Sequence, residues 1–250
     1  MMERQTIDDS ARLLQDIRQE LQPLLQRIVT HRYVRALEEG RVPREALKIL
    51  AAQQYHIVSQ GPQHLAVMLA RCGHLPSRKK INEFLQAEIA VNEALLEFAA
   101  ALSMSETDLQ ATPRRLDAQL FCHCVGHICL FGSDADLITA FYFDAQVWIA
   151  NALRISRALQ SKYGFDKKAV RFFDMYANYQ PKDEDVLPYI QHAIERGGSL
   201  GDCPGCKPDE QNLQRALDRG VAASQIRESA RLLIECELRF WEDMAAAAGV

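Results

Sequence analysis

No stretch of this sequence alternates apolar and polar residues as a half-buried strand would, so sheet architectures are set aside first. A strong charge of one sign is also missing. The chain has 29 Lys and Arg against 33 Asp and Glu, a formal net charge of -4, which gives no electrostatic footprint for nucleic acid or anionic lipid. Long hydrophobic runs are absent: Leu95 to Met104 is broken by Glu97 and is too short to span a bilayer. Met1 to Thr6 is followed at once by Asp8 and Asp9, so no apolar signal-peptide core is seen. The 7 cysteines, odd in number and irregularly spaced, do not resemble a secreted disulfide framework. These absences lead to the expectation of a cytoplasmic protein, with neither nucleic acid nor membrane as partner.

What is present is helical periodicity in almost every long segment. Asp8, Asp9 or Ser10 can cap a first helix with the stripe Leu13, Leu14, Ile17, Leu21, and Pro23 is expected to kink or restart it. Gly40 and Pro43 mark the next boundary, and Gly61-Pro62 a bend after a helix ending near Ser59. Further helices are expected over about Ser77–Leu102, from Pro113 to about Phe131, and over Asp134–Tyr163 stopped by Gly164. Ser105 and Asp108 form a short capping turn between the first two. The remaining expectations are a helix from about Lys167 to Tyr179, another to Arg196, a loop over Gly197–Pro208 and a last helix over about Ser224–Ala248. With 48% apolar and 25% charged residues and no polar linker, residues 1–250 read as a single all-α domain.

Polar residues that interrupt core-facing stripes carry the functional signal. Glu237 lies on the face shared by Ile226, Ala230, Leu233, Ile234, Phe240, Trp241 and Met244. Asp144 sits among Leu137, Phe141, Trp148 and Ile155, and Glu88 among Ile81, Leu85, Leu95 and Phe98. Gln54 interrupts Leu47, Leu50 and Ile57 in the same way. Burying an ionised carboxylate costs several kcal/mol, order of magnitude, unless it is paired. Three of them on separate helices therefore point either to structural ion pairs or to a shared polar cavity with shifted pKa values, suited to acid-base work.

Histidine and cysteine carry less. His123 and His127, in Cys122-His123-Cys124-x-x-His127, stand one turn apart and could ligate a metal, although helix residues of these types are more often plain core. A lone Cys203-Pro-Gly-Cys206 without a second pair is a weak zinc signal. His31 and His56 are single histidines on helices and read as structural.

Several ordered motifs resemble a known family. They are Glu39-Gly40-Arg41-Val42-Pro43, Gln53-Gln54-Tyr55-His56, Gly61-Pro62-Gln63-His64-Leu65-Ala66 through Arg71-Cys72, Phe131-Gly132-Ser133, Tyr163-Gly164 and Glu237-Leu238-Arg239-Phe240-Trp241. In order and spacing, from about residue 20 onward, they are similar to the heme-oxygenase-like helical family of thiaminase II (TenA) and the cofactor-biosynthesis oxidase PqqC. The resemblance implies a heme-oxygenase-like bundle, a small-molecule substrate and a homodimer. It makes Glu237 the match of the catalytic glutamate of thiaminase II and Tyr176 that of a pocket tyrosine. The family's aspartate falls on Gln54, its first pocket tyrosine on Phe121, and its nucleophilic cysteine on or near Asp144. Without that thiol, thiaminase chemistry has no evident nucleophile.

The related diiron oxidases supply a second template. Glu88 and Asp144 fall near their carboxylate ligands, but their histidine-rich ligand run lands on Tyr176, Gln180 and Asp183. The expected function is a small-molecule enzyme of cofactor or secondary metabolism, an oxidoreductase by analogy with PqqC, with no metal predicted. Glu237, Asp144 and Glu88 are the expected acid-base groups, and Gln54, Tyr55, Phe121 and Tyr176 the residues that orient a flat, mostly apolar substrate. The alternatives are an iron-dependent oxygenase with altered ligands and a non-catalytic cofactor or tetrapyrrole carrier.

Overall fold

The computed structural model describes the backbone of residues 2–73, 75–195 and 211–250, with side chains from residue 9 and, in the last segment, from residue 220. The Gly197–Pro208 loop, with Cys203 and Cys206, lies outside the described residues. Every regular element among the described residues is helical.

Helix α1 (Met2–Val29) buries Leu13, Leu14, Ile17, Leu21, Leu25 and Ile28 along one stripe. The expected restart at Pro23 does not occur. The stripe continues on both sides of the proline, and packing of that face holds the helix together through the one lost hydrogen bond. Buried His31 caps α2 (Arg32–Glu38), its Nδ1 accepting the Tyr33 backbone N–H, so this histidine is structural. Gly40, at a φ of 72°, turns the chain toward Pro43 and α3 (Arg44–Val58).

A break at residues 59–60 gives α4 (Gly61–Cys72), with Pro62 in its first turn where a missing N–H is harmless. After α5 (Arg78–Ala101), Ser105 and Asp108 close a capping box on α6 (Glu106–Ala111). Helix α7 (Leu116–Phe131) starts three residues later than Pro113 suggests. The delay is built by α3: Gln53 Nε2 donates to Pro113 O (3.0 Å), Gln53 Oε1 accepts from Arg115 N (2.9 Å), and His56 Nε2 lies 2.8 Å from Thr112 O. These two buried polar side chains therefore satisfy the backbone of an extended segment.

Helix α8 (Asp134–Tyr163) runs between the boundaries expected of it, from a Ser133–Asp136 capping box to Gly164 in the left-handed region. The helix expected over 167–179 is reduced to α9 (Arg171–Asp174). Phe172 and Phe173 are both buried, against Trp148 and Phe98 respectively, and consecutive residues cannot both face the core from one surface-helix stripe. A short turn at Asp183–Asp185 leads into α10 (Leu187–Glu195). Helix α11 (Gln211–Ala248) begins earlier than expected and packs against α1, α2, α3, α7, α8 and α10. It buries Ile226, Ala230, Leu233, Ile234, Phe240, Trp241 and Met244 against them. No helix among the described residues is long and apolar enough to cross a membrane.

Candidate functional site

Helices α3, α4, α5, α7, α8 and α11, with the segment 167–186 laid across them, surround a mostly apolar cavity that opens to solvent. Such apolar clefts with a few convergent polar groups are where small molecules bind. Three carboxylates on three helices reach it: Glu88 from α5, Asp144 from α8 and Glu237 from α11.

Each is held differently. Glu237, only 5% exposed, accepts a 2.7 Å hydrogen bond from Trp241 Nε1 one turn further on. Trp241 is itself fixed by stacking on Trp148 (6.1 Å, 25°) and by the edge of Phe240 (5.1 Å). Glu88 lies against the first turn of α4, where a Cβ on Gly61 would stand 2.7 Å from its Oε2. Glycine at that position is what lets the carboxylate sit so near the helix start. Asp144 Oδ1 is buried without a hydrogen-bond partner among the described residues.

Burial with little compensation drives all three toward the protonated form. It pushes Glu88 and Glu237 up to about 7, the Trp241 hydrogen bond partly opposing this at Glu237. Asp144 is raised well above its ordinary value, first by burial and then by repulsion from Glu237 and Glu88. Burial and the same carboxylates Glu88 and Asp144 also raise Tyr176. Groups that change protonation near neutral pH can both take and give protons.

The rim is ordered by polar contacts. Arg18 donates to Tyr142 Oη (2.8 Å) and to Asp183 Oδ1 (2.5 Å), and Tyr142 Oη donates to the same Asp183 oxygen (2.6 Å). This fastens the Asp183–Asp185 turn to α1 and α8 beside the cavity, which Tyr142 and Asp185 line. Lys80 also lines the cavity. Its Nζ stands over the rings of Phe84 and Tyr179 (5.3 and 5.8 Å) and 3.7 Å from Glu83.

The family model described as TENA/THI-4/PQQC matches residues 18–179. The chain belongs to the TENA/THI-4/PQQC family. Solved structures agree on the fold. A TenA homolog from Pseudomonas syringae pv. tomato superposes with a TM-score of 0.71 at 15% identity, over 93% of this chain and 92% of that one. A protein described as a TenA family transcription regulator, from a Silicibacter species, gives 0.67 at 18% identity, over 93% and 96%. A Shewanella denitrificans domain of unknown function with a heme oxygenase-like fold gives 0.64 at 14% identity, over 95% and 96%. No curated protein matches the chain in sequence. The heme-oxygenase-like all-α fold read from the ordered motifs is therefore the fold of this TENA/THI-4/PQQC protein.

Within that fold, Glu88, Asp144, Glu237, Gln54, Phe121 and Tyr176 all line one cavity. Tyr55 does not, which corrects the expectation from sequence. Its hydroxyl donates to Glu106 Oε1 (2.7 Å) and accepts from Gln110 Nε2 (3.0 Å), so it faces α6. Adjacent helix residues point about 100° apart, and Gln54 already faces the cavity. Sequence reading missed His64, Trp148 and Tyr142 as lining residues, and Trp241 as the partner of Glu237. The four-residue spacing of Glu237 and Trp241 was the one available signal. His64 Nδ1 is buried and unpartnered, and burial, followed by nearby His123, holds its ring below the ordinary value.

Neither metal reading of the sequence fits this arrangement. Among the described residues, no three His, Cys, Asp or Glu side chains are grouped so that they could hold a metal ion. Asp183, placed by the diiron resemblance in the ligand run, is bound to Arg18 and Tyr142. His123 and His127 are exposed on α7, the latter against Phe131 at 5.1 Å, and neither lines the cavity.

Proposed function

We propose that the cavity is the active site of a small-molecule enzyme of cofactor or secondary metabolism. Glu237, Asp144 and Glu88 exchange protons with a flat, mostly apolar substrate, and Gln54, Phe121 and Tyr176 orient it. The observation that carries this reading is the convergence of three weakly compensated carboxylates, from three helices, on one apolar cavity. Structural ion pairs would each have brought a basic partner, and among the described residues none of the three is paired with a lysine or arginine, Lys80 of the lining standing by Glu83 instead.

Covalent thiaminase-type chemistry is not part of the proposal. Asp144 occupies the place that the resemblance gives to the nucleophilic cysteine. The cysteine that does line the cavity, Cys122, is buried and pushed up to about 11, so its thiol is not ionised at neutral pH. Proton transfer by carboxylates supports an acid-base reaction or, as for an oxidoreductase, an oxidation in which the substrate passes its electrons directly to dioxygen while the carboxylates take up and return the protons. The proposal also retains a cytoplasmic homodimer. Exposed Leu130 and Phe131 at the end of α7 support the second copy, which gel filtration with light scattering would test.

The deciding experiment is a metabolite screen on purified protein, followed by analysis of each stabilising compound after incubation. The expected result is a compound that raises the melting temperature, is converted by the wild type and is recovered unchanged from Glu237→Gln. Compounds that bind tightly and are always recovered unchanged would replace this reading with the carrier.

A further inference from the structure

The three cavity carboxylates differ in what meets their oxygens. Glu237 Oε1 takes the Trp241 N–H, and Glu88 lies against the glycine that starts α4. Asp144 alone of the three has a fully buried oxygen that no donor meets among the described residues. Its Oδ1 is buried without a donor, and no basic group offsets its charge, its electrostatic neighbours being Glu237 and Glu88. A buried acceptor left without a donor is unfavourable in the free protein and becomes favourable once a ligand supplies one.

The surroundings define what kind of donor fits. Along α8, Phe141 stands three residues before Asp144 and Trp148 four after it, so the two rings flank the carboxylate on the face that lines the cavity. Both are pre-set by other rings: Phe141 by the edge of Phe84 at 5.3 Å, Trp148 by Trp241 at 6.1 Å and Phe172 at 5.8 Å. A carboxylate that shares a cavity wall with aromatic rings attracts a positive head group twice, by ion pairing and through the ring quadrupoles, and the apolar wall accommodates the rest of the molecule. The one lysine lining the cavity, Lys80, is engaged with Phe84, Tyr179 and Glu83.

We propose that Asp144 is the anchoring point for an organic ammonium cation with an aromatic body, and that this is the ligand class of the cavity. The inference rests on reading the cavity as a substrate site and adds the charge that its substrate carries. A ligand with a carboxylate head would bring a fourth acid to Glu88, Asp144 and Glu237 and offers Asp144 no donor, so it is disfavoured. The groups facing Asp144 that titrate or carry charge are Glu88 on α5, Glu237 on α11 and Tyr176 in the 167–186 segment, while His64, Lys80 and Asp185 line the same cavity. Because burial and the neighbouring carboxylates raise Asp144, an ammonium group pairing with its ionised form draws it back down and releases protons to solvent, which a neutral ligand does not.

Three probes of one shape test this: tryptamine, tryptophol and indole-3-acetate, titrated into the full chain by calorimetry at pH 7. Tryptamine is expected to bind at least tenfold more tightly than tryptophol, and indole-3-acetate not to bind. Asp144→Asn, checked for an unchanged far-UV spectrum and cooperative melting, is expected to erase the amine preference. Should that variant fail to fold, the wild type still decides. Repeating its titration in two buffers of different ionisation heat is expected to show proton release with tryptamine and none with tryptophol. Equal binding of amine and alcohol, preference for the acid, or an amine preference that survives Asp144→Asn would each overturn the assignment. Because the probes need not react, an amine preference lost in Asp144→Asn stands even where no turnover is found. Conversely, turnover lost in Glu237→Gln with no amine preference would leave the enzyme reading standing and this one refuted.

Discussion

Replacing Glu237 by glutamine is expected to make the protein more stable at alkaline pH, because the buried carboxylate is a burden when ionised. Its folded value of about 7 lies above the ordinary 4.5, so between those limits the folded state holds the proton more tightly than the unfolded chain. Stability from this group is therefore complete below pH 4.5 and is lost as pH rises toward 7 and beyond. At about 1.4 kcal/mol per pH unit the full displacement corresponds to about 3 kcal/mol, an upper bound because water entering the cavity would screen the charge. Glutamine keeps the shape and, through its carbonyl, the Trp241 hydrogen bond, yet cannot ionise. The assay is thermal melting of both proteins at pH 4 and pH 8. The variant should match the wild type at the lower pH and exceed it at the higher by roughly 6–12 °C, taking about 2–4 °C per kcal/mol for a chain of this size. An identical difference at both values would mean that Glu237 titrates normally. A variant less stable throughout would mean that the carboxylate is half of a structural pair.

Two further outcomes follow from named contacts. Gly61→Ala should leave the melting temperature nearly unchanged while displacing the Glu88 side chain, whose Oε2 would otherwise stand 2.7 Å from the new methyl group. Carbon-13 spectra of glutamate-labelled protein should then show the Glu88 carboxyl titrating away from about 7 with Glu237 unmoved, and unchanged titration would refute the contact. Gln53→Leu should destabilise by roughly 1–3 kcal/mol, since it strands Pro113 O and Arg115 N–H, and urea denaturation should show a lower midpoint with an unaltered slope.

The parts of this molecule legible in its sequence are those set by local chemistry. Ser133, Asp136 and Gly164 bound α8 because a capping box and a left-handed glycine act within one turn. Glu237 and Asp144 were visible because an apolar stripe with one acid in it states its own anomaly. What was hidden depends on neighbours distant in sequence. Tyr55 reads as a cavity residue beside Gln54 until α6, about fifty residues on, claims its hydroxyl. Pro113 reads as a helix start until Gln53 holds the backbone extended. The shortening of the 167–179 helix follows from two adjacent phenylalanines drawn to different partners, Trp148 and Phe98, which periodicity cannot resolve.

Helix α11 has a kinetic consequence. It contacts α1, α2, α3, α7 and α8, so the central wall of the bundle is completed by pairings that close loops of roughly a hundred residues or more, among them Tyr33 against Trp241. Such long-range closures are slow and collect late on a folding path. A chain that has assembled its earlier helices but not yet docked α11 would hold Glu88 and Asp144 around a half-open, apolar trough. In that interval it would expose a sticky surface to its neighbours.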